Sequence, residues 1–275
     1  MSFKTTPELS KIKKRLSKSR KAIVLNNEKG GVGKSTLSYY IAKLLERLGL
    51  KVLVWDTDPQ GNFTKSINGA EISQSYINDN GVISSADVFK AELPSGKTYR
   101  VSDNLHLLAG TDELYNVDEE MGRESLGHAH RNIQTLLEQG DFDVVVIDTP
   151  PVLGNRQLAA TLISDYLLMP IEIDGFSLDG INKQITRVVN IREQVNLPLP
   201  QITIVPNRVD MRSRSSKDGL EAIYKASPVT VSPVIKSNTA IKDAIRTFTP
   251  VWEYKASSSK AAREMLFAAI SVALR

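Results

Sequence analysis

Asn26-Asn27-Glu28-Lys29-Gly30-Gly31-Val32-Gly33-Lys34-Ser35-Thr36 closes an apolar run that starts at Ala22 and opens a helical pattern that starts at Lys34. Glycines at 30, 31 and 33 let the backbone turn tightly and aim successive N–H groups at phosphate oxygens. The start of the following helix adds its partial positive charge. Lys34 then offers a cation to β- and γ-phosphates, and Ser35 offers a hydroxyl to Mg²⁺. A merely glycine-rich turn would not place that lysine and that hydroxyl at the first helical positions. The pattern departs from the plain G-x-x-x-x-G-K-[ST] loop at two positions. Glu28 stands where the first glycine belongs, and an additional lysine, Lys29, lies five residues before Lys34.

Outward from this loop, short apolar runs alternate with helical patterns, as in a parallel sheet with crossover helices. Strands are predicted at Ala22–Asn27, Lys51–Asp56, Leu105–Ala109, Asp143–Asp148, Tyr166–Ile171, Gln201–Pro206 and Val229–Ile235. Their continuous apolar character suits strands covered on both faces. Helices are predicted at Lys34–Leu48, His128–Gln139, Leu178–Gln194, Ser216–Ala226, Thr239–Arg246 and Ser258–Leu274. The polar, turn-rich stretch from Asn68 to Asn104 reads as an insertion of small helices or loop. No internal repeat or linker divides the 275 residues, so the expectation is a doubly wound, mostly parallel α/β sheet flanked by helices.

Three motifs resemble the deviant P-loop ATPases of the ParA/MinD superfamily. They are Lys29-Gly30-Gly31-Val32-Gly33-Lys34-Ser35, Trp55-Asp56-Thr57-Asp58-Pro59-Gln60-Gly61-Asn62, and Val144-Val145-Val146-Ile147-Asp148-Thr149-Pro150-Pro151. The second motif points to the ParA branch, the plasmid and chromosome partition ATPases. The resemblance runs from about Lys21 onward and is weakest at 68–125. It implies a P-loop NTPase fold of the SIMIBI type over 22–275, with 1–21 as a basic, helical N-terminal extension. It implies ATP with Mg²⁺, and a homodimer in which Lys29 reaches the partner's nucleotide. Lys29, Lys34 and Asp58 are the implied catalytic residues, Asp58 positioning the attacking water. Lys29, Gly30, Gly31, Val32, Gly33, Lys34, Ser35 and Thr36 form the implied phosphate cradle. Ser35, Asp148 and Asp56 are the implied magnesium set. Many relatives carry Gln at position 28; a carboxylate there opposes phosphate unless it points to solvent or meets a basic group.

Val205-Pro206-Asn207-Arg208-Val209-Asp210 has the N-R-x-D spacing of a guanine-reading loop, so GTP is an alternative. In ParA/MinD relatives the corresponding Asn contacts adenine, and the rest of the chain matches ATPases. As plain chemistry, Asn and Asp are also ordinary turn residues after a strand.

Net charge is +4, but it divides along the chain: +7 over residues 1–22, −9 over 23–200 and +6 over 201–275. Basic ends suit a polyanion, and a solvated charged face is the plainer alternative. Arg212, Arg214, Lys236 and Arg246 match the resemblance's nonspecific-DNA surface, which needs backbone neutralisation and no base code. The extension Lys4–Lys21 reads as a basic helix with Leu9, Ile12 and Leu16 on one face. It is short for a helix-turn-helix domain, so no operator binding is expected; packing on the body, dimerisation or phosphate contacts remain open.

Absent cysteine excludes disulfides, thiolate zinc sites and cysteine-ligated iron–sulfur clusters, and with them nitrogenase-reductase-like and metal-carrier relatives. No run of about 18 apolar residues appears, nor does a secretory signal, so the expected place is the cytoplasm, at the nucleoid. The apolar last helix is expected to pack in the core instead of anchoring to a membrane. The leading expectation is an ATP-dependent switch that binds DNA nonspecifically and partitions plasmid or chromosomal DNA with a ParB-like adaptor. The rivals are a MinD-like ATPase at a membrane surface and a positioning ATPase for a cargo other than DNA.

Overall fold

Val144-Val145-Val146-Ile147-Asp148 has no polar side chain before its last position, so its strand must be covered on both faces. The computed structural model, which describes residues 6–173 and 178–275, covers it with helices on each side. In chain order the elements are α1 Pro7–Leu16, β1 Lys21–Leu25, α2 Lys34–Arg47, β2 Val52–Asp56, α3 Asn62–Asn68 and α4 Gln74–Asp79. A 3₁₀ turn at Ala86–Phe89 precedes β3 Tyr99–Ser102, β4 Leu105–Leu108, α5 Leu114–Glu119 and α6 Glu124–Gln139. Then follow β5 Val144–Asp148, α7 Asn155–Ile163, β6 Tyr166–Ile171, α8 Leu178–Gln194 and β7 Gln201–Pro206. The order closes with α9 Arg214–Ala226, β8 Thr230–Val231, α10 Thr239–Arg246 and α11 Ser259–Ala273.

The sheet order is β3-β4-β2-β5-β1-β6-β7-β8. Only β3 runs antiparallel, pairing with β4 at the edge. Side chains alternate between two cores: Ile23, Leu25, Val52, Val54, Val144 and Val146 fill one, Val24, Leu53, Trp55, Val145 and Ile147 the other. This is the period-two signature of strands between two helical layers. The chain leaves β1 towards β2 on one side and reaches β6 on the other. A crevice therefore forms at the carboxyl end of β1, where ligands of open α/β sheets bind. Register places Leu25 beside Asp148 and Asp148 beside Asp56 at that end.

α1 belongs to this body. Thr6 caps it, accepting from the Leu9 N–H at 3.3 Å, and Leu9, Ile12 and Leu16 are buried in the same core as Leu266 and Ile270 of α11. Each such side chain stabilises by about 1.5–3 kcal/mol. Arg15 donates to the Leu274 carbonyl. Of the predicted basic helix, Lys4 lies outside the described residues, and Lys21 already belongs to β1.

Several elements differ from the sequence expectation, the short helices α3 and α5 among them. α7 was not predicted, because it opens on Gly154 with no capping side chain and its first turn is polar. β3 is a half-exposed edge strand with little apolar signal. The predicted strand Val229–Ile235 shortens to Thr230–Val231 because Pro233 has no N–H. Pairing nevertheless resumes beyond it, with Ile235 N–H donating to the Pro206 carbonyl at 2.8 Å.

Candidate nucleotide site

Gly33 precedes α2 with φ +95°, and no side chain caps the helix. Its first N–H groups are therefore left for an anion. A side chain at 33 is barred twice: by that φ, and because a Cβ would come 2.4 Å from Asn207 Nδ2. The loop is fixed from several sides. Asn207 Nδ2 donates to the Val32 carbonyl at 2.8 Å, and Arg208 to the Gly31 carbonyl at 2.6 Å. Asn27 Oδ1 accepts from the Lys29 N–H at 2.8 Å. Such a loop is ordered before any phosphate arrives.

Lys34 is buried, and its Nζ donates to the carbonyls of Asn27 at 2.9 Å and Lys29 at 3.3 Å. Burial lowers its pKa, while Asp148 and Asp58 oppose that shift. Asp148 ends β5 beneath it. Burial raises Asp148 well above the usual carboxylate range and nearby Asp56 raises it further; hydrogen bonds from Ser35 and Ser38 work the other way. Ser38 Oγ donates to Asp148 Oδ1 at 2.9 Å, while Oδ2 is buried with no hydrogen-bond partner among the described residues. An orphaned buried carboxylate oxygen beside a serine hydroxyl is a position that a hard cation or its bound water satisfies. Ser35 and Asp148 thus fit a magnesium ion.

Asp56 does not face a cation in the same way. Its Oδ2 accepts from Thr64 N–H at 2.7 Å and Thr64 Oγ1 at 2.8 Å, and its Oδ1 from the Asp58 N–H at 3.2 Å. These bonds tie the Asp56 carboxylate to the turn that carries Asp58, while the sheet register keeps it beside Asp148, next to the magnesium set expected from the sequence. Asp58 itself is half-buried and lines the cleft, with Oδ1 accepting from the Gln60 N–H at 3.0 Å.

The cleft is about 690 Å³ and is walled by Gly30, Gly31, Gly33, Lys34, Ser35, Thr36 and Asp58. A smaller cavity of about 170 Å³ adjoins it, lined by Asn207, Ile235, Ile241 and Leu266. Thr36, Arg208, Ile245 and Arg246 border both. The large cleft that carries the phosphate loop thus adjoins a smaller apolar recess with Asn207 in its lining. Asp210, which a guanine-reading loop would need, accepts instead from the backbone N–H, Nε and Nη2 of Arg212, each at 3.0 Å. That commitment favours adenine over guanine.

A family described as an AAA domain matches residues 20–201. Protein IncC of Escherichia coli is 32% identical over 259 residues, covering 90% of this chain and 68% of IncC. The chromosome-partitioning ATPase Soj of Thermus thermophilus is 29% identical over 191 residues, 70% of each chain. This chain belongs to the ParA/MinD superfamily of P-loop ATPases, in its partition branch. Among solved structures, cobyrinic acid a,c-diamide synthase of Mycobacterium smegmatis, with bound ADP and magnesium, superposes with a TM-score of 0.68. It is 25% identical, and the match covers 83% of this chain and 91% of that one.

In this ParA-type chain Lys29 is exposed and absent from the walls of its own cleft. Val32 is buried and contributes its carbonyl to Asn207, not its side chain to the cleft. The basic residues divide. Arg212 and Arg214 have side chains 91% and 94% exposed. Lys236 is exposed, its backbone bridges Val209, and it also borders the smaller recess. Arg246, expected with them, stands in the wall of the nucleotide cleft. Sequence reasoning passed over Arg156, Arg187 and Tyr115. Arg156 carried no local signal, since it stands between Asn155 and Gln157 in a helix that itself was not predicted.

Proposed function

We propose that this chain is an ATP-dependent dimerising switch that binds DNA nonspecifically and partitions plasmid or chromosomal DNA with a ParB-like adaptor. The observation that carries the reading is the pair of lysines. Lys34 lies inside the cleft, whereas Lys29 projects outside it, where it can serve a nucleotide held by a second copy. In the cycle, Lys34 and the α2 N-terminus hold the phosphates, and Ser35 with Asp148 holds magnesium. A magnesium ion held there would neutralise charge developing on the phosphate oxygens. Asp58 orients water towards the γ-phosphate, and Asn207 meets the adenine. Binding of ATP closes the dimer by differential affinity for the closed state, and slow, adaptor-stimulated hydrolysis opens it. Arg212, Arg214 and Lys236 of both copies face the duplex, placing the protein at the nucleoid in the cytoplasm. The MinD-like rival gains no support from α11, whose Leu266, Ala269 and Ile270 are buried in the core. No described helix is long and apolar enough to cross a membrane.

The test is light scattering and co-sedimentation with ATP, ADP or no nucleotide, against random-sequence DNA and against anionic liposomes. Dimerisation and DNA pelleting that both require ATP are expected. Pelleting with liposomes but not DNA would favour the membrane rival. ATP-dependent dimers that pellet with neither would favour a cargo other than DNA.

A further inference from the structure

The side chain of Arg156, in the first turn of α7, enters the wall of the nucleotide cleft although the residue is only 5% exposed. A guanidinium is costly to bury unless its donors are paired. Here they are. Nε and Nη2 donate to Asp118 Oδ2 of α5, each at 2.8 Å. Nη1 donates to the Thr57 carbonyl at 3.3 Å, and the Arg156 backbone N–H to Asp118 Oδ1 at 3.2 Å. Asp118 approaches so closely that a Cβ at Gly154 would meet its carboxylate at 2.5 Å.

Thr57 is the residue before Asp58. The far end of the same turn is also tied to α5, because Gln60 Nε2 donates to Tyr115 Oη at 2.9 Å. α5 therefore grips the Asp58 turn at both ends, once through Tyr115 and once through the Arg156–Asp118 fork. We infer that Arg156 is a positioning residue: by tying Asp118 to the Thr57 carbonyl it fixes the turn that aims Asp58 into the cleft. Three of its donors go to protein acceptors, so it acts through the backbone of the turn. A lysine cannot replace it, since one ammonium lacks the fork that spans both acceptors. The catalytic consequence rests on the ATPase reading above; the structural link does not.

The experiment compares the full chain with Arg156→Lys, Arg156→Met and Asp118→Asn by two readouts. Amide hydrogen exchange without nucleotide should speed up about tenfold over residues 57–61 in each variant, with β1 and α2 unchanged. ATP hydrolysis should lose about tenfold to a hundredfold in kcat, with KM for ATP within about threefold, because the cradle stays intact while the turn shifts. If Arg156→Met fails to fold, Arg156→Lys carries the test. Wild-type protection at 57–61 in the Arg156 variants overturns the inference. So does a raised KM with unchanged kcat, which would make Arg156 a nucleotide ligand. Faster exchange at 57–61, alongside a wild type that hydrolyses no ATP, leaves the positioning role standing and removes the ATPase reading.

Discussion

The carboxylate of Glu28, inside the phosphate loop, pairs with the guanidinium of Arg187 on α8, 159 residues further along the chain. One helical turn earlier, Gln184 reaches Asn27 Oδ1 at 3.4 Å. Glu28 turns away from the cleft, towards a small cavity between α7 and α8. The anion that the sequence places beside the phosphates is thus matched by a cation on the outer side of the loop. Arg187→Ala should leave that carboxylate unpaired and weaken nucleotide binding. Because the two side chains are 40% and 34% exposed, the effect should be at most about 1 kcal/mol, or about fivefold in Kd. Adding Glu28→Gln should restore affinity, since it removes the charge that Arg187 balances. A fluorescent-nucleotide titration of the single and double variants reads both effects.

Lys34→Ala should abolish nucleotide binding, because it removes the one lysine buried in the cleft. Lys29→Ala should keep much of the monomer's affinity and lose ATP-dependent dimerisation and hydrolysis. Equal ATP-dependent dimer fractions for Lys29→Ala and wild type in light scattering would end the cross-dimer role.

Asp58→Ala should trap the ATP-bound dimer. The turn keeps its anchors at Thr57, through Arg156, and at Gln60, through Tyr115, while water loses its orienting carboxylate. The expected result is a dimer that persists after ATP addition, with hydrolysis reduced by roughly a hundredfold or more. Hydrolysis at the wild-type, adaptor-stimulated rate would assign water positioning to another residue.

The strands and the phosphate loop were legible because period and glycine placement are local properties of the sequence. Val144–Asp148 can only be a buried strand, and Gly33-Lys34-Ser35 can only open a helix at its end. Arg187 and Arg156 were not legible, since each acts through a partner more than thirty residues away that nothing local reveals. The bonds that hold Asp56 were hidden for the same reason: its strand-end position suits a metal ligand, and nothing local reveals that Thr64, on the next helix, donates to its Oδ2. Arg246 was grouped with a basic surface by resemblance, and nothing local shows that α10 also places it in the cleft wall.

Asp210 is held by Arg212, first through their side-chain hydrogen bonds, and its pKa falls to about 2 from an ordinary 3.8. A depressed carboxylate keeps its paired, ionised form above its ordinary pKa and loses it only as pH falls through the lower value. Carboxyl-carbon NMR should therefore show Asp210 titrating near pH 2, and Arg212→Ala should return it towards 3.8. Because the pair is exposed, the fold should be insensitive to the change.

The same fork shapes the last prediction, which concerns DNA. Each copy offers exposed Arg212, Arg214 and Lys236, and closing the dimer would present two such sets to one duplex. Binding should then need ATP, ignore sequence and weaken with salt, with a log–log slope of about −0.9 per phosphate neutralised. Asp210 cancels part of the Arg212 charge, so Asp210→Asn should tighten binding by freeing it. Arg212→Glu and Lys236→Glu should each weaken binding by turning attraction into repulsion at two symmetry-related points, without touching dimerisation. All three effects should shrink as ionic strength rises, since screening removes the interaction being altered. Gel shifts with random-sequence duplexes at several salt concentrations measure them together. Undiminished binding by the Arg212→Glu/Lys236→Glu double variant would move the surface to α1 and the residues after it. There Lys11, Lys13, Lys14, Lys18 and Arg20 are exposed, while Leu9, Ile12 and Leu16 hold the helix to the body.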